Sequence, residues 1–308
     1  MSIDAVIRKS AEVLVEKEGE VRLVIASILA EGHVLIEGVP GIAKTLTAKT
    51  IARLLSLDFK RVQMTPDLLP ADVLGGYVYD AKQGVFILKK GPIFTNVLLV
   101  DEINRGSPRT QSALLEAMQE RQVSIEGQSF PLDRPFIVLA TQNPIEFEGV
   151  FPLPEAQLDR FLAKINSTYT TTEGLKKVLK EIDLIEENFN SLKPLLSKEE
   201  VLSAIKEARE VRVDDAIYDY VVKLVEESRK HPAVRLGASP RAGIALIRLA
   251  KALAYIDSRN YVIPDDVKAV AKPVLTHRII IKPEHEVSGV TPDKVIEDIL
   301  AKVEVPKP

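Results

Sequence analysis

The 308-residue sequence has no cysteine, no tryptophan and three methionines. The missing cysteines exclude disulfides, thiolate metal sites and a cysteine nucleophile. No apolar run reaches the roughly 18 residues that a membrane span requires. The opening MSIDAVIRKS carries no apolar signal core, so the expectation is a cytoplasmic chain with no membrane span. Neither charge dominates: 41 Lys and Arg stand against 44 Asp and Glu, a net charge of -3. That balance supplies no global basic field to draw nucleic acid. The four histidines (His33, His231, His277, His285) are scattered and form no metal cluster, and no serine-histidine-aspartate arrangement stands out. What is present is ordinary for a globular protein, with 46% hydrophobic and 28% charged residues. The length suits two domains with a sizeable core.

The pattern along the chain is α/β at first and helical later. Residues 3 to 30 place apolar side chains at three- and four-residue spacing (Val6, Val13, Val21, Val24, Ile28), which predicts helix. HVLIE (33 to 37) predicts a buried strand that stops at Gly38, before a glycine-bearing loop and a second helical pattern. FKRVQM (59 to 64), NVLLVDE (96 to 102), PFIVLATQNP (135 to 144) and FLAKINSTY (161 to 169) predict further strands, and residues 107 to 121 a helix. Apolar strands alternating with helices imply a parallel sheet covered on both faces. Two segments interrupt this alternation and read as hairpins: 72 to 94, turning near Ala81 to Gly84, and 122 to 134, with Gly127 in its turn. From about 171 onward only helices are predicted. Their start signals are Ser197 with Glu200 as a capping box, Asp214 or Asp215, Ser239 before Pro240, Pro264, and Thr291 before Pro292. The expected domains are a nucleotide-binding α/β unit over 1–185 and a small helical unit over 186–308.

Gly38-Val39-Pro40-Gly41-Ile42-Ala43-Lys44-Thr45 fits the phosphate-loop pattern G-x-x-x-x-G-K-[ST] except at Ala43. In such a loop the backbone N–H groups and a helix N-terminus face the phosphates of ATP or GTP. Lys44 would reach the β- and γ-phosphates, the Thr45 hydroxyl would ligate magnesium, and Leu46 closes the run of nucleotide-binding residues expected over 38 to 46. Gly38 and Gly41 leave the backbone room to approach the anion. Asp101 and Glu102 end an apolar strand, where carboxylates of a parallel sheet face the ligand crevice. Asp101 would hold magnesium through water, and Glu102 would orient or deprotonate the attacking water. Asn143 ends the next strand and is placed to hold that water or the γ-phosphate. Phosphoryl transfer needs more positive charge than Lys44 supplies. Arg160 (in EAQLDRF) and Arg241 (in GASPRAG) are the leading candidates, ahead of Arg105 and Arg109.

With these motifs in order, the chain resembles an AAA+ ATPase of the MoxR family over nearly its whole length. GVPGIAKT looks like the family's Walker A, which typically has alanine where other P-loops have glycine. LLVDEINR looks like Walker B, ATQNP like sensor 1, LPEAQLDRF like the arginine-finger region and GASPRAG like sensor 2. The resemblance implies a P-loop parallel sheet with two inserted β-hairpins and a small helical lid domain. It implies ATP and magnesium as cofactors, and catalytic roles for Glu102, Asn143, Arg160 and Arg241. An arginine finger acts on a neighbour's nucleotide, so a homohexameric ring is implied. So are a von Willebrand A-domain partner and a protein substrate, in complex maturation or metal-cofactor insertion. VEKEGE (15 to 20) stands where the family usually has a Val-Gly-Gln-like stretch near the adenine. A nucleic-acid motor of the related helicase clade and a non-hydrolysing nucleotide switch are the alternative readings.

Overall fold

A computed structural model describes residues 3–39, 41–144 and 149–306. Two helices, α1 (Ile3–Ser10) and α2 (Glu18–Leu29), precede strand β1 (Val34–Glu37), helix α3 (Lys44–Leu54) and strand β2 (Phe59–Gln63). A short helix α4 (Pro70–Leu74) leads into the hairpin of β3 (Gly75–Asp80) and β4 (Val85–Lys90). Strand β5 (Val97–Asp101) and a 3₁₀ turn at Ile103–Arg105 follow, then α5 (Pro108–Glu120) and the hairpin of β6 (Gln122–Ile125) and β7 (Gln128–Pro131). Strand β8 (Ile137–Gln142), α6 (Glu155–Leu158) and β9 (Ala163–Asn166) complete the first unit. Helix α7 (Thr172–Ser191) leads from it into the second, which holds α8 (Lys198–Glu210), α9 (Asp215–Lys230), β10 (Val234–Leu236), α10 (Pro240–Ile256), α11 (Pro264–Leu275), β11 (Ile280–Ile281), α12 (Pro283–Val287) and α13 (Pro292–Lys302).

The main sheet is parallel, in the order β2-β5-β8-β1-β9. Its strands read as continuous apolar runs because alternate residues enter two different cores. Val34, Val97, Leu99, Ile137, Leu139 and Ala163 face α1, α2, α3 and the later helices. Leu35, Leu98, Val100, Val138 and Ala140 face α5 and the β6–β7 hairpin. Both insertions form as antiparallel hairpins, with Gly84 and Gly127 at positive φ in their turns. The expected starts of the later helices are all present. Ser197 and Glu200 cap each other, and Asp214, Ser239 and Thr291 accept first-turn N–H groups.

Two elements depart from the sequence pattern. The predicted helix over 3 to 30 breaks between Ser10 and Glu18. Glu16 takes a left-handed φ of 58°, and the buried Lys17 turns away to donate to Ser167 and to the Thr168 carbonyl, each at 3.0 Å. Within the helical unit, β10 and β11 form a two-stranded antiparallel ladder too short to register as period-two alternation.

A buried acid ties the two units together. The Glu31 carboxylate accepts from Arg121 at 3.1 Å, from Arg134 at 2.8 Å and from Arg209 of α8. Next to it, His33 is buried under the sheet: its Nδ1 accepts the Val138 N–H, so Nε2 donates to the Met118 carbonyl. Burial pushes the His33 pKa from 6.5 down to about 4. Burial, together with the adjacent Arg278, also pushes His277 well below its ordinary value. A base with a depressed folded pKa favours the native state above its unfolded pKa. That stability is lost as pH falls through the interval between the two, because only the unfolded chain takes up the proton. For His33 the interval runs from 6.5 to about 4 and amounts to about 3 kcal/mol. The chemical-denaturation midpoint is expected to drop between pH 7 and pH 4.5, and to drop measurably less in His33→Asn. Equal drops in the two proteins would count against this assignment.

Candidate functional site

The phosphate loop leaves the carboxyl end of β1 and enters α3. Pro40 lies outside the described residues. The loop depends on two left-handed residues: Gly41 has φ +83°, and Ala43, which caps α3, has φ 62°. An alanine there costs about 1 kcal/mol relative to the right-handed region. Ala43 offers no side-chain cap to the 11-residue α3, where Ser, Thr, Asp or Asn would ordinarily bond a first-turn N–H. An uncapped helix start carries positive partial charge and suits an anion. Gly38 also has a packing role. A Cβ on it would meet the Ser167 carbonyl oxygen and Ile42 Cδ1, each at 2.5 Å, so it allows β1 to close against the end of β9. Gly41 has open space around it and is required for its conformation alone. Lys44 Nζ donates to the Gly38 carbonyl at 2.5 Å, folding the side chain back over the loop. Val39 and Ile42 flank the turn, Ile42 being buried. The Thr45 hydroxyl, half-buried in the first turn of α3, has no hydrogen-bond partner among the described residues.

Strand order assembles the rest. β8 lies between β1 and β5, so Asn143 at its end stands between the phosphate loop and the acidic pair. Gly38 N–H donates to the Gln142 carbonyl at 3.2 Å, which joins that junction to the loop. Asp101 is buried. It accepts the Thr141 hydroxyl at 3.2 Å and Arg61 Nε at 2.5 Å. Glu102 turns out of the strand at φ 55°, fixed by its own N–H donating to Thr141 Oγ1 at 3.0 Å. Its carboxylate accepts Gln63 Nε2 at 2.7 Å and lies 3.4 Å from Arg105. Thr141 therefore anchors both acids at once. Arg61, Gln63 and Thr141 were not apparent from sequence, because they belong to the site only through the sheet order. Asn143 is buried at the same edge. Among the described residues the donors fit a nucleotide with magnesium: an uncapped helix start, a lysine, an unengaged threonine hydroxyl and a buried carboxylate.

Arg160 and Arg241 are elsewhere. Arg160 precedes β9, whose Ala163 pairs with Val34 at the amino end of β1, and Leu162 N–H donates to the His33 carbonyl at 2.8 Å. Both arginines line one cavity of about 270 Å³ with Arg121, Arg248, Arg278 and Gly32. The length of β1, about 13 Å, separates that cavity from the loop. On either side of Arg160 the backbone is pinned. Asp159 accepts from Arg278 at 2.7 Å and from Ser239 at 3.0 Å, and Phe161 is fully buried. The Arg160 guanidinium itself has no hydrogen bond or ion pair among the described residues. Arg241 is half-exposed and 4.0 Å from Asp159. Arg109, on α5, adds nothing to this cluster. The segment at 15 to 20 lies at the carboxyl edge. Lys17 and Glu20 hold Ser167, and Glu16 accepts the Thr171 N–H and hydroxyl at the start of α7.

A phosphate loop at the carboxyl end of an inner strand of a five-stranded parallel sheet, two hairpin insertions and an attached helical unit define a P-loop ATPase of the AAA+ class. Residues 33–163 match the family described as "ATPase family associated with various cellular activities (AAA)", and residues 226–299 match "AAA lid domain". The chain is 41% identical to Chaperone MoxR1 of Mycobacterium tuberculosis, over 99% of this chain and 83% of that protein. It is 45% identical to YeaC of Bacillus subtilis, over 96% of this chain and 92% of that one. A crystal structure from Cytophaga hutchinsonii superposes with TM-score 0.93 at 43% identity, covering 99% and 95% of the two chains. The chain belongs to the MoxR family of AAA+ ATPases. Among the described residues no helix is long and apolar enough to cross a membrane.

Proposed function

We propose that this chain hydrolyses Mg-ATP at the boundary between neighbouring copies of itself, in a homohexameric ring, and uses the cycle to remodel a protein partner. One observation carries the reading. The phosphate loop and acidic pair are at the carboxyl edge of the sheet, while Arg160 and Arg241 are at its amino edge. A site needing both halves takes them from two subunits stacked head to tail, and head-to-tail contacts that close make rings. On this reading residues 1–185 hold the nucleotide and residues 186–308 act as the lid that carries Arg241.

Residues 38–46 bind the triphosphate through backbone N–H groups and Lys44. Thr45 and Asp101 would hold the metal, the latter through water, and the metal would supply positive charge against the triphosphate. Glu102 accepts the proton of the attacking water, and Asn143 orients that water. Gln63 and Arg105 both meet Oε2 of that carboxylate. Arg160 and Arg241 of the adjacent subunit would stabilise the transferring phosphoryl group. The name of MoxR1 as a chaperone supports protein remodelling, and the family resemblance supports a von Willebrand A-domain partner and work in complex maturation or metal-cofactor insertion.

The test is phosphate release against protein concentration, alongside sizing by light scattering. Magnesium-dependent turnover per subunit is expected to rise with concentration as oligomer forms. Turnover at full rate by a monomer would overturn the shared site.

A further inference from the structure

The order of the strands gives the nucleotide site a direction. Across the carboxyl edge the acids on β5 come first, then Asn143 after β8, then the phosphate loop after β1, and last the end of β9. On the reading above, the γ-phosphate meets the acids, where the attacking water is activated. The loop grips the phosphates from β1. Ribose and base then extend from the loop away from β5, toward the end of β9.

Tyr169 stands at that end. Glu37 pairs with Asn166 in the parallel register, so the residues after β9 run beside the start of the phosphate loop. A Cβ on Gly38 would meet the Ser167 carbonyl oxygen. Tyr169 is two residues further on, at most about 7 Å of chain. It is 73% exposed, and it has no hydrogen bond or ring contact among the described residues.

The backbone that carries this ring is fixed on both sides. Ser167 N–H donates to the Glu37 carbonyl at 2.8 Å. Lys17 Nζ donates to the Ser167 hydroxyl and to the Thr168 carbonyl, each at 3.0 Å, and is itself paired with Glu20 at 2.7 Å. Beyond Tyr169, the Glu16 carboxylate accepts the Thr171 N–H at 2.7 Å and the Thr171 hydroxyl at 2.6 Å. Glu16 and Lys17 are adjacent, in the break between α1 and α2. One turn therefore braces the peptide before and after Tyr169 and leaves its ring open. A ring on an already ordered backbone loses little further freedom when a ligand covers it. Its flat apolar face is of the kind on which nucleic-acid bases stack.

We infer that Tyr169 is the stacking platform for the purine base of the nucleotide held by the phosphate loop. The inference rests on the nucleotide reading above and adds the residue that meets the base end of the ligand. Stacking uses the π-face and reads no hydrogen-bond pattern. Tyr169 accordingly accepts adenine and guanine alike, and favours both over the smaller pyrimidines. Discrimination between ATP and GTP belongs to other groups.

The absence of tryptophan makes the test direct. Tyr169→Trp places a single indole in the chain. Its emission is expected to be quenched by Mg-ATP and by Mg-GTP, and to be unchanged by magnesium tripolyphosphate, which fills the loop but carries no base. Calorimetric titration supplies the second measurement. Tyr169→Ala should bind Mg-ATP about tenfold more weakly and tripolyphosphate as tightly as wild type. Tyr169→Phe should keep wild-type affinity for both, and Lys44→Ala should weaken both together. An indole that responds to tripolyphosphate as strongly as to ATP overturns the stacking. So does ATP affinity unchanged in Tyr169→Ala, or an equal loss for ATP and tripolyphosphate. All three leave the phosphate loop in place. A wild-type protein that binds neither ligand overturns the nucleotide reading, and the stacking with it.

Discussion

Replacing Glu102 by glutamine is expected to cut steady-state phosphate release by about 10²–10⁴-fold while nucleotide still binds. The substitution keeps the shape and removes the base. Glutamine can still meet Gln63, and its N–H still donates to Thr141, so the turn at φ 55° survives. The groups proposed to grip the triphosphate are unaltered, because Lys44, Thr45 and the start of α3 belong to other elements. The measurement pairs phosphate release with a fluorescent-nucleotide titration. Lost binding would mean that Glu102 holds the loop, and activity within a few-fold of wild type would remove it as the base. Lys44→Ala should behave the opposite way, because it removes charge from the ground state as well as from the transition state.

The core of this arrangement was legible because it is local. A strand covered on both faces must be apolar throughout, so VLLVD and IVLATQ announce themselves, and the phosphate loop is eight consecutive residues. The hairpins were legible through Gly84 and Gly127, whose positive φ closes each turn. Long-range pairings were not. Lys17 leaves the helical pattern for Ser167, 150 residues away, and no periodicity encodes that choice. Arg61 and Gln63 look like the polar face of an edge strand until β2 is seen beside β5, where they meet Asp101 and Glu102. Ala43 reads as one extra methyl, and only the backbone reveals that the methyl sits on a left-handed residue. The histidines at 33 and 277 have no sequence context marking them as buried, the first bonded to Val138 and Met118 and the second to the Phe161 carbonyl. Most consequential, both arginines were identified by motif, yet their edge of the sheet depends on strand direction. That edge decides whether they serve their own nucleotide or a neighbour's.

Arg160→Ala is the sharper test of that distinction. A finger guanidinium contributes about 10³–10⁵ in kcat to phosphoryl transfer, and a loss in that range is expected. The loss should leave stability almost untouched, within about 0.5 kcal/mol, because the side chain has no ion pair or hydrogen bond to forfeit among the described residues. Its neighbour should behave in the reverse manner. Asp159 accepts from Arg278, whose side chain is only 3% exposed, and from Ser239 at the start of α10. Asp159→Ala leaves that buried guanidinium to backbone carbonyls alone, and is expected to lower stability by about 3 kcal/mol. Adjacent residues thus separate the two duties of one turn, Asp159 fastening the lid and Arg160 projecting from what it fastens. If Arg160 acts across the subunit boundary, Arg160→Ala mixed with Lys44→Ala restores turnover, since some interfaces then pair an intact loop with an intact arginine. If it acts within its own chain, every subunit in the mixture lacks one half, and no mixing ratio recovers activity.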